Sequence, residues 1–387
     1  MFHNSLRYIT ANDYFGVKKP GKPGERNIFR MKMWSESTLV TVAGAVMNVD
    51  ELKRQLQNIS CDGLVTIIGS GLSCAEGLPS MHDLATQLTT DIPLICSGTD
   101  LLAWEQIREL LQAGYGLEQA INEADPPHSL ESAIIQSVSR FVLTQEQQAI
   151  CECFENKRTL KISRFLAHFN DTARVHIVTT NYDRLIEFAG ELEGYWIENC
   201  FCGKFAGKFA PDISRVQGAI GIETNGKRAK LKYQKRLNIF KPHGSLDWVL
   251  YNGSPIHSQL VTRLSPLIIT PGKTKYLRGY EQPFDRQREE GNRQIDRASA
   301  LLFVGYGFND DHLQTHILSR INSGTQGVIL AKSLTDATKN IISGSPSLIA
   351  LSEGSTSNTL VTTSTNEWEI DIPFLWDIEN FTKEVLE

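Results

Sequence analysis

The chain has 387 residues, 41% hydrophobic and 21% charged, with a formal net charge of -5. Those proportions describe an ordinary globular protein, built as one large domain with insertions or as two domains, with no general electrostatic reason to bind nucleic acid. No apolar run reaches the roughly 18 residues that span a bilayer, and the Met1-Phe2-His3-Asn4 start does not read as a secretory signal, so a cytoplasmic location is expected. Seven scattered cysteines do not look like a disulfide framework. Cys151-x-Cys153 and Cys200-x-Cys202 lack the C-x-x-C spacing of a structural zinc site, and no metal is expected.

Residues 1–47 read as an N-terminal arm or linker, because Lys18-Lys19-Pro20-Gly21-Lys22-Pro23-Gly24 leaves little to pack. Leu52, Leu56 and Ile59 then form the apolar stripe of a helix that Asn48 or Asp50 can cap. It leads into Leu64–Ile68, a short apolar run followed by Gly69-Ser70-Gly71 and a helix opening at Leu72. A buried strand that turns through glycines into a helix can bring backbone N–H groups close to a phosphate. The same two glycines also suit a turn made for geometry alone, since a G-x-G-x-x-G fingerprint would need glycine where Cys74 stands. Gly77-Leu78-Pro79 forms a second loop, either beside the same ligand or simply ending the helix.

From about 84 to 170 the pattern is helical, with Trp104, Ile107, Leu110 and Leu111 on one face, a Pro126-Pro127 break, and Thr144-Gln145-Glu146-Gln147 as a capping box. This all-α insertion either covers a site or makes oligomer contacts. Val175–Thr180 is a second buried strand, running into Asn181-Tyr182-Asp183. In parallel sheets ligands sit beyond the carboxyl ends of the strands. Asn181 there offers a donor and an acceptor and cannot ionise, which suits a ribose hydroxyl or a water; the alternative is a helix cap. Leu237–Phe240 leads to Lys241-Pro242-His243-Gly244, where a histidine can take a proton from water and Gly244 lets another group come close. The other eight histidines read as structural, and His312 and His316 lack further ligands for a metal.

Pro266–Thr270, before Pro271-Gly272-Lys273, reads as a fourth strand, Ala300–Val304 as a fifth, ending at Gly305-Tyr306-Gly307-Phe308-Asn309-Asp310-Asp311-His312, and Gly327–Ala331 as a sixth. Strands that alternate with helices and end in Gly, Asn or His loops imply an α/β fold, a Rossmann-like doubly wound parallel sheet whose loops converge on one ligand. Residues 48–342 form this domain, and 343–387 a C-terminal tail. Within the tail, 343–366 reads as loop or edge strand, while Trp368 to Leu386 is too apolar for water and is expected to pack on the domain or on a neighbouring subunit.

Taken together these motifs resemble those of the sirtuins. Gly69-Ser70-Gly71-Leu72-Ser73 with Gly77-Leu78-Pro79 is similar to sirtuin G-A-G-x-S with G-I-P, Thr180-Asn181-Tyr182-Asp183 to T-Q-N-x-D, His243-Gly244 to H-G, and Gly305-Tyr306-Gly307-Phe308 to the later G-T-S-like loop. The order agrees, and the resemblance covers about residues 48 to 335. Deacylating sirtuins carry a zinc ribbon of two C-x-x-C pairs after H-G, and here no cysteine follows Cys202. The helical insertion and the T-T-N-Y-D, L-x-K-P-H-G-S-L-x-W and G-F-x-D-x-H phrases resemble instead the sirtuin-like NADase domains of bacterial antiphage defence. The architecture is similar to the subunit that partners a HerA-type hexameric ATPase.

The resemblance implies NAD+ as substrate, with Gly69, Ser70, Gly71 and Ser73 cradling its diphosphate and Pro79 lining the nicotinamide side. Asn181 would hold the ribose or the attacking water, with Thr180 and Asp183 supporting that loop, and His243, next to Gly244, would be the base. Gly305, Phe308 and Asn309 to Asp311, Asp310 among them, would sit at the adenosine end. It further implies a homo-oligomer that meets nucleic acid only through its ATPase partner. The implied activity is hydrolysis of NAD+ to nicotinamide and ADP-ribose, depleting the host's NAD+ during infection. Two other readings are a catalytically idle NAD or ADP-ribose sensor, and an NAD-dependent protein deacylase, which the missing zinc ribbon argues against. Retention of both Asn181 and His243 favours an enzyme.

Overall fold

Short runs of β-branched and aromatic residues assemble into one nine-stranded sheet at the centre of the chain. The computed structural model describes residues 40–42, 45–169, 174–225, 228–259, 264–270 and 281–387. The expected arm therefore lies outside the description apart from a hairpin of Val40–Val42 with Ala45–Met47, and so does the Pro271-Gly272-Lys273 loop. The sheet strands are β1 (Leu64–Ile68), β2 (Arg174–Thr179), β3 (Trp196–Glu198), β4 (Arg236–Phe240), β5 (Ala300–Val304), β6 (Gln326–Leu330), β7 (Leu348–Glu353), β8 (Thr359–Thr362) and β9 (Glu367–Ile370). Their spatial order is β9-β8-β7-β6-β5-β1-β2-β4-β3, parallel from β7 to β3, with β8 and β9 added antiparallel.

The central strands are buried on both faces, which is why they read as continuous apolar runs. Val65, Ile67, Leu301 and Phe303 point into one core, shared with α9 (Phe284–Asp296), α10 (Asp311–Asn322) and α11 (Asp336–Ser343). Ile68, Leu302 and Val304 point into the other, shared with α1 (Val49–Gln57), α2 (Ser70–Ala75) through Leu72, α7 (Lys161–His168) and α8 (Leu185–Leu192). The expected fold class is the one observed: α/β, doubly wound, with a largely parallel sheet and an all-α insertion. Among the described residues no helix is long and apolar enough to cross a membrane.

The insertion consists of α3 (Met81–Ile95), α4 (Thr99–Gln112), α5 (Leu117–Ala124) and α6 (His128–Glu155), with α7 returning the chain to the sheet. Asn48 caps α1, its Oδ1 accepting from Asp50 N at 2.9 Å. The expected capping box at Thr144 does not form, because α6 runs straight through it and the Thr144 hydroxyl donates to Arg140 O at 2.8 Å. A capping box forms instead at Ser80 and Asp83, at the start of α3.

Pro266–Thr270 is not a strand of the main sheet. It pairs with the loop after β4 through a single antiparallel bridge between Gly244 and Ile268, with Ile269 N donating to His243 O at 2.9 Å. A second sheet of four antiparallel strands, Phe201–Cys202, Ala206–Phe209, Trp248–Tyr251 and Ser254–Ser258, and a ribbon of Ala219–Asn225 with Arg228–Tyr233 were not anticipated. The boundary expected after residue 342 falls at the end of α11, directly before β7 of the same sheet. Beyond β9, Ile378, Phe381 and Val385 are buried in the core shared with α1 and α7, and Lys161 Nζ lies 2.8 Å from Asp377 Oδ2.

Candidate functional site

The chain leaves β1 for β2, β4 and β3 on one side, then returns to β5 on the other, so the loops after β1 and β5 part at the carboxyl edge of the sheet. Such a switch point opens a crevice. Here it is a cavity of about 430 Å³, the size of a small-molecule site. Gly69, Ser70, Gly71, Ser73, Pro79, Thr180, Asn181, Asp183, His243, Gly305 and Asp310 all line it. Phe308 and Gly244 are not among the lining residues. Phe308 is buried beneath the cavity floor, its ring centroid 4.7 Å from that of Phe303 and 5.0 Å from that of Tyr306. Gly244, at φ +86°, turns the chain so that the segment around Leu267 and Ile268 can come against it.

The glycines of the first turn act mainly as a joint. A Cβ on Gly69 would lie 2.5 Å from Gly305 O, one on Gly71 2.7 Å from Gly305 Cα, and one on Gly305 2.6 Å from Gly71 Cα. Gly69 N donates to Val304 O and Gly71 N to Gly305 O, each at 3.0 Å. These two N–H groups therefore tie the β1 and β5 loops together, and Ser70, exposed at the turn, is the polar residue there that faces outward.

A buried polar network stands beside this joint. Asn181 Nδ2 donates to Gly69 O at 2.9 Å and to Ser73 Oγ at 2.8 Å, while the Ser73 hydroxyl donates to Asp183 Oδ2 at 2.6 Å. A carbonyl can only accept, so the amide orientation of Asn181 is determined, and with both protons engaged its Oδ1 is the group left for the cavity. Asp183 also accepts from Leu185 N at 3.2 Å, while the N-cap of the following helix is Arg184, with no side-chain cap bond.

Lys241, 1% exposed, supports the network from below. Its ammonium donates to Asp183 O and to Ser245 Oγ and lies 2.7 Å from Glu187 Oε1. Burial pushes the Glu187 carboxyl up and the Lys241 charge pulls it back. The Tyr182 phenol, raised by burial and then by Glu118 and Asp310, donates to Ile269 O at 2.6 Å. The β2 and β4 loops are thus pinned to each other.

His243 reaches the cavity from the β4 loop, with Nε2 2.6 Å from Asp310 Oδ2. Asp310, expected at the adenosine end, stands against the histidine. Spacing in the chain gave no hint of this, because 67 residues separate them (310 minus 243) and only the switch point brings their loops together.

Two parts of the wall were missed. Met81, Leu84, Leu117, Ile121, Ile134, Val138 and Val142 of the insertion form an apolar side, so these helices cover the cavity. Glu146 of α6, fully buried, holds Arg184 beside the β2 loop, with Arg184 Nε 3.1 Å from its Oε2. The loop after β6 adds Lys332, Ser333 and Thr335, and Thr335 Oγ1 donates to Gly307 O at 2.7 Å. Its place after a parallel strand was the available signal. Among the described residues no group of three or more His, Cys, Asp or Glu is placed to hold a metal ion, and all seven cysteines are free thiols.

Residues 175–339 match the family described as the SIR2-like domain. That span holds Asn181, His243 and Asp310 and leaves the Gly69 turn and the insertion outside it. No curated protein matches the chain. Among solved structures, Sir2Tm bound to a propionylated peptide is similar at 12% identity over 75% of this chain and 89% of that one, with a TM-score of 0.39. A Sir2 bound to an acetylated peptide gives 12% over 88% and 98%, with 0.43. A Sir2 homologue in complex with NAD gives 14% over 75% and 84%, with 0.39. Likeness this low carries nothing about the chemistry of this chain.

Proposed function

We propose, from the SIR2-like match over residues 175–339, that the chain is an NAD+ hydrolase that cleaves the bond between nicotinamide and ribose. The observation that carries this reading is that Asn181 and His243 open onto one cavity, the first through an acceptor oxygen and the second backed by a carboxylate. As the C1′–N bond breaks, its electron pair leaves with nicotinamide, which departs neutral and needs no acid. A water held by Asn181 Oδ1 forms the new C–O bond, and its proton passes to His243, giving nicotinamide and ADP-ribose. Base assistance of this kind is worth roughly 100- to 10,000-fold. The apolar wall of the insertion keeps other water away from the oxocarbenium-like centre.

The wider role rests on the motif resemblance: antiphage defence by NAD+ depletion, in the cytoplasm, by a homo-oligomer restrained through a HerA-type ATPase partner. The domain layout is proposed on the same ground, with residues 48–342 catalytic, and 1–47 and 343–387 serving assembly. Nicotinamide release from NAD+ by the purified chain, alone and with a neighbouring ATPase, tests the reading. Release should fall at least about 100-fold in His243→Ala and in Asn181→Ala. NAD+ binding without release under every condition would sink the hydrolase and leave a nucleotide sensor.

A further inference from the structure

We infer that Asp310 is a positioning residue that decides which nitrogen of His243 takes the proton. His243 Nε2 and Asp310 Oδ2 are both buried and lie 2.6 Å apart, out of line for a hydrogen bond as they stand, the carboxylate side chain itself being 8% exposed. A lone pair on Nε2 would face the carboxylate's charge, so the tautomer it favours carries hydrogen on Nε2, and the lone pair is on Nδ1, the ring nitrogen left for the cavity. When Nδ1 is protonated, the imidazolium is paired with the Asp310 charge. The step rests on the hydrolase reading; the pair itself does not.

In that step a proton leaves the water for Nδ1 as the water oxygen bonds to C1′ and the C1′–N electron pair departs with nicotinamide. Asp310 remains ionised throughout. Two loops on opposite sides of β1 must meet for this to happen, so the glycine joint that holds the β1 and β5 loops together also sets the base. The other charged or titratable groups around this cavity, among the described residues, are Glu118 of α5, Asp183 and Tyr182 after β2, and Lys332 after β6.

The test is a 15N–1H correlation NMR spectrum of the full chain carrying ring-15N histidine, with the His243 signals assigned by their loss in His243→Gln, beside the kinetics of nicotinamide release. In wild type the neutral His243 ring should carry its proton on Nε2, and in Asp310→Ala that preference should be lost. With the same change kcat should fall at least about tenfold while KM stays within about twofold. Asp310→Glu, which keeps the carboxylate, should keep the Nε2–H form. The same tautomer in wild type and in Asp310→Ala would overturn the pair. A tautomer that depends on Asp310 in a protein that never releases nicotinamide would keep the pair and remove the hydrolase.

Discussion

The two ends of the parallel sheet handle buried charge in opposite ways. At the carboxyl edge buried charges are paired: Lys241 meets Glu187 and Arg184 meets Glu146, while Asp310 stands 2.6 Å from His243 Nε2. At the amino edge of the same strands, β2 and β4 begin on Arg174 and Arg236, with His176 two residues into β2. Arg236 is 4% exposed and donates to Arg215 O at 3.0 Å, and both guanidiniums sit over the Tyr233 ring, at 5.3 Å for Arg174 and 4.0 Å for Arg236. Burial, then the two arginines, lowers the His176 imidazole to about 4, so it is neutral in the fold. Its Nδ1 lies 3.3 Å from Asn238 Nδ2, an arrangement that requires an acceptor. The site end is thus held by paired charge and the far end by a charge kept off.

The largest effect that would break this contrast is at Lys241. Lys241→Met leaves Glu187 without its partner and Asp183 O without its donor, and should cost about 3–5 kcal/mol in urea unfolding, with activity lost at lower denaturant than in wild type. A cost under about 1 kcal/mol would mean that the pair contributes little.

At the far end the prediction is a pH slope. The unfolded histidine binds a proton near 6.5 and the folded one only near 4. The contribution of neutral His176 is therefore complete above about 6.5 and lost as pH falls towards 4, by at most about 3 kcal/mol. Unfolding midpoints measured across that window should fall with acid in wild type and change less in His176→Gln. The same slope in both proteins would assign the acid sensitivity to other groups.

The smallest effect is at Ser73, which bridges Asn181 and Asp183. Ser73→Ala should cost about 1–2 kcal/mol, because two buried polar groups each lose a partner. It should also lower nicotinamide release by freeing the Asn181 amide to turn, which a KM and kcat comparison reads directly.

What the amino-acid sequence determined by itself was whatever is local. Strands with runs such as LVTII and ALLFV, buried on both faces, announce a parallel sheet, and the polar residues that follow such strands announce its carboxyl edge. That is why Asn181 and His243 could be placed at that edge from the sequence. The limits of locality also show, since Thr144 had the letters of a cap yet lies inside a 28-residue helix that tertiary packing keeps continuous. The tail between 343 and 366 read as loop or edge strand, with no choice between them, because the register of its strands comes from pairing with β6 and one another rather than from strong alternation.

Only the tertiary structure decided the meaning of the glycines, the partner of His243 and the task of the insertion. Gly69, Gly71 and Gly305 are small because two loops 230 or more residues apart (305 minus 71 is 234) pass within contact, a requirement no local window contains. Asp310 reaches His243 for the same reason, across a switch point set by strand order. Whether the helices between β1 and β2 cover a cavity or face solvent depends on which apolar side chains find each other in space, and here Leu117, Ile134 and Val138 close over the site.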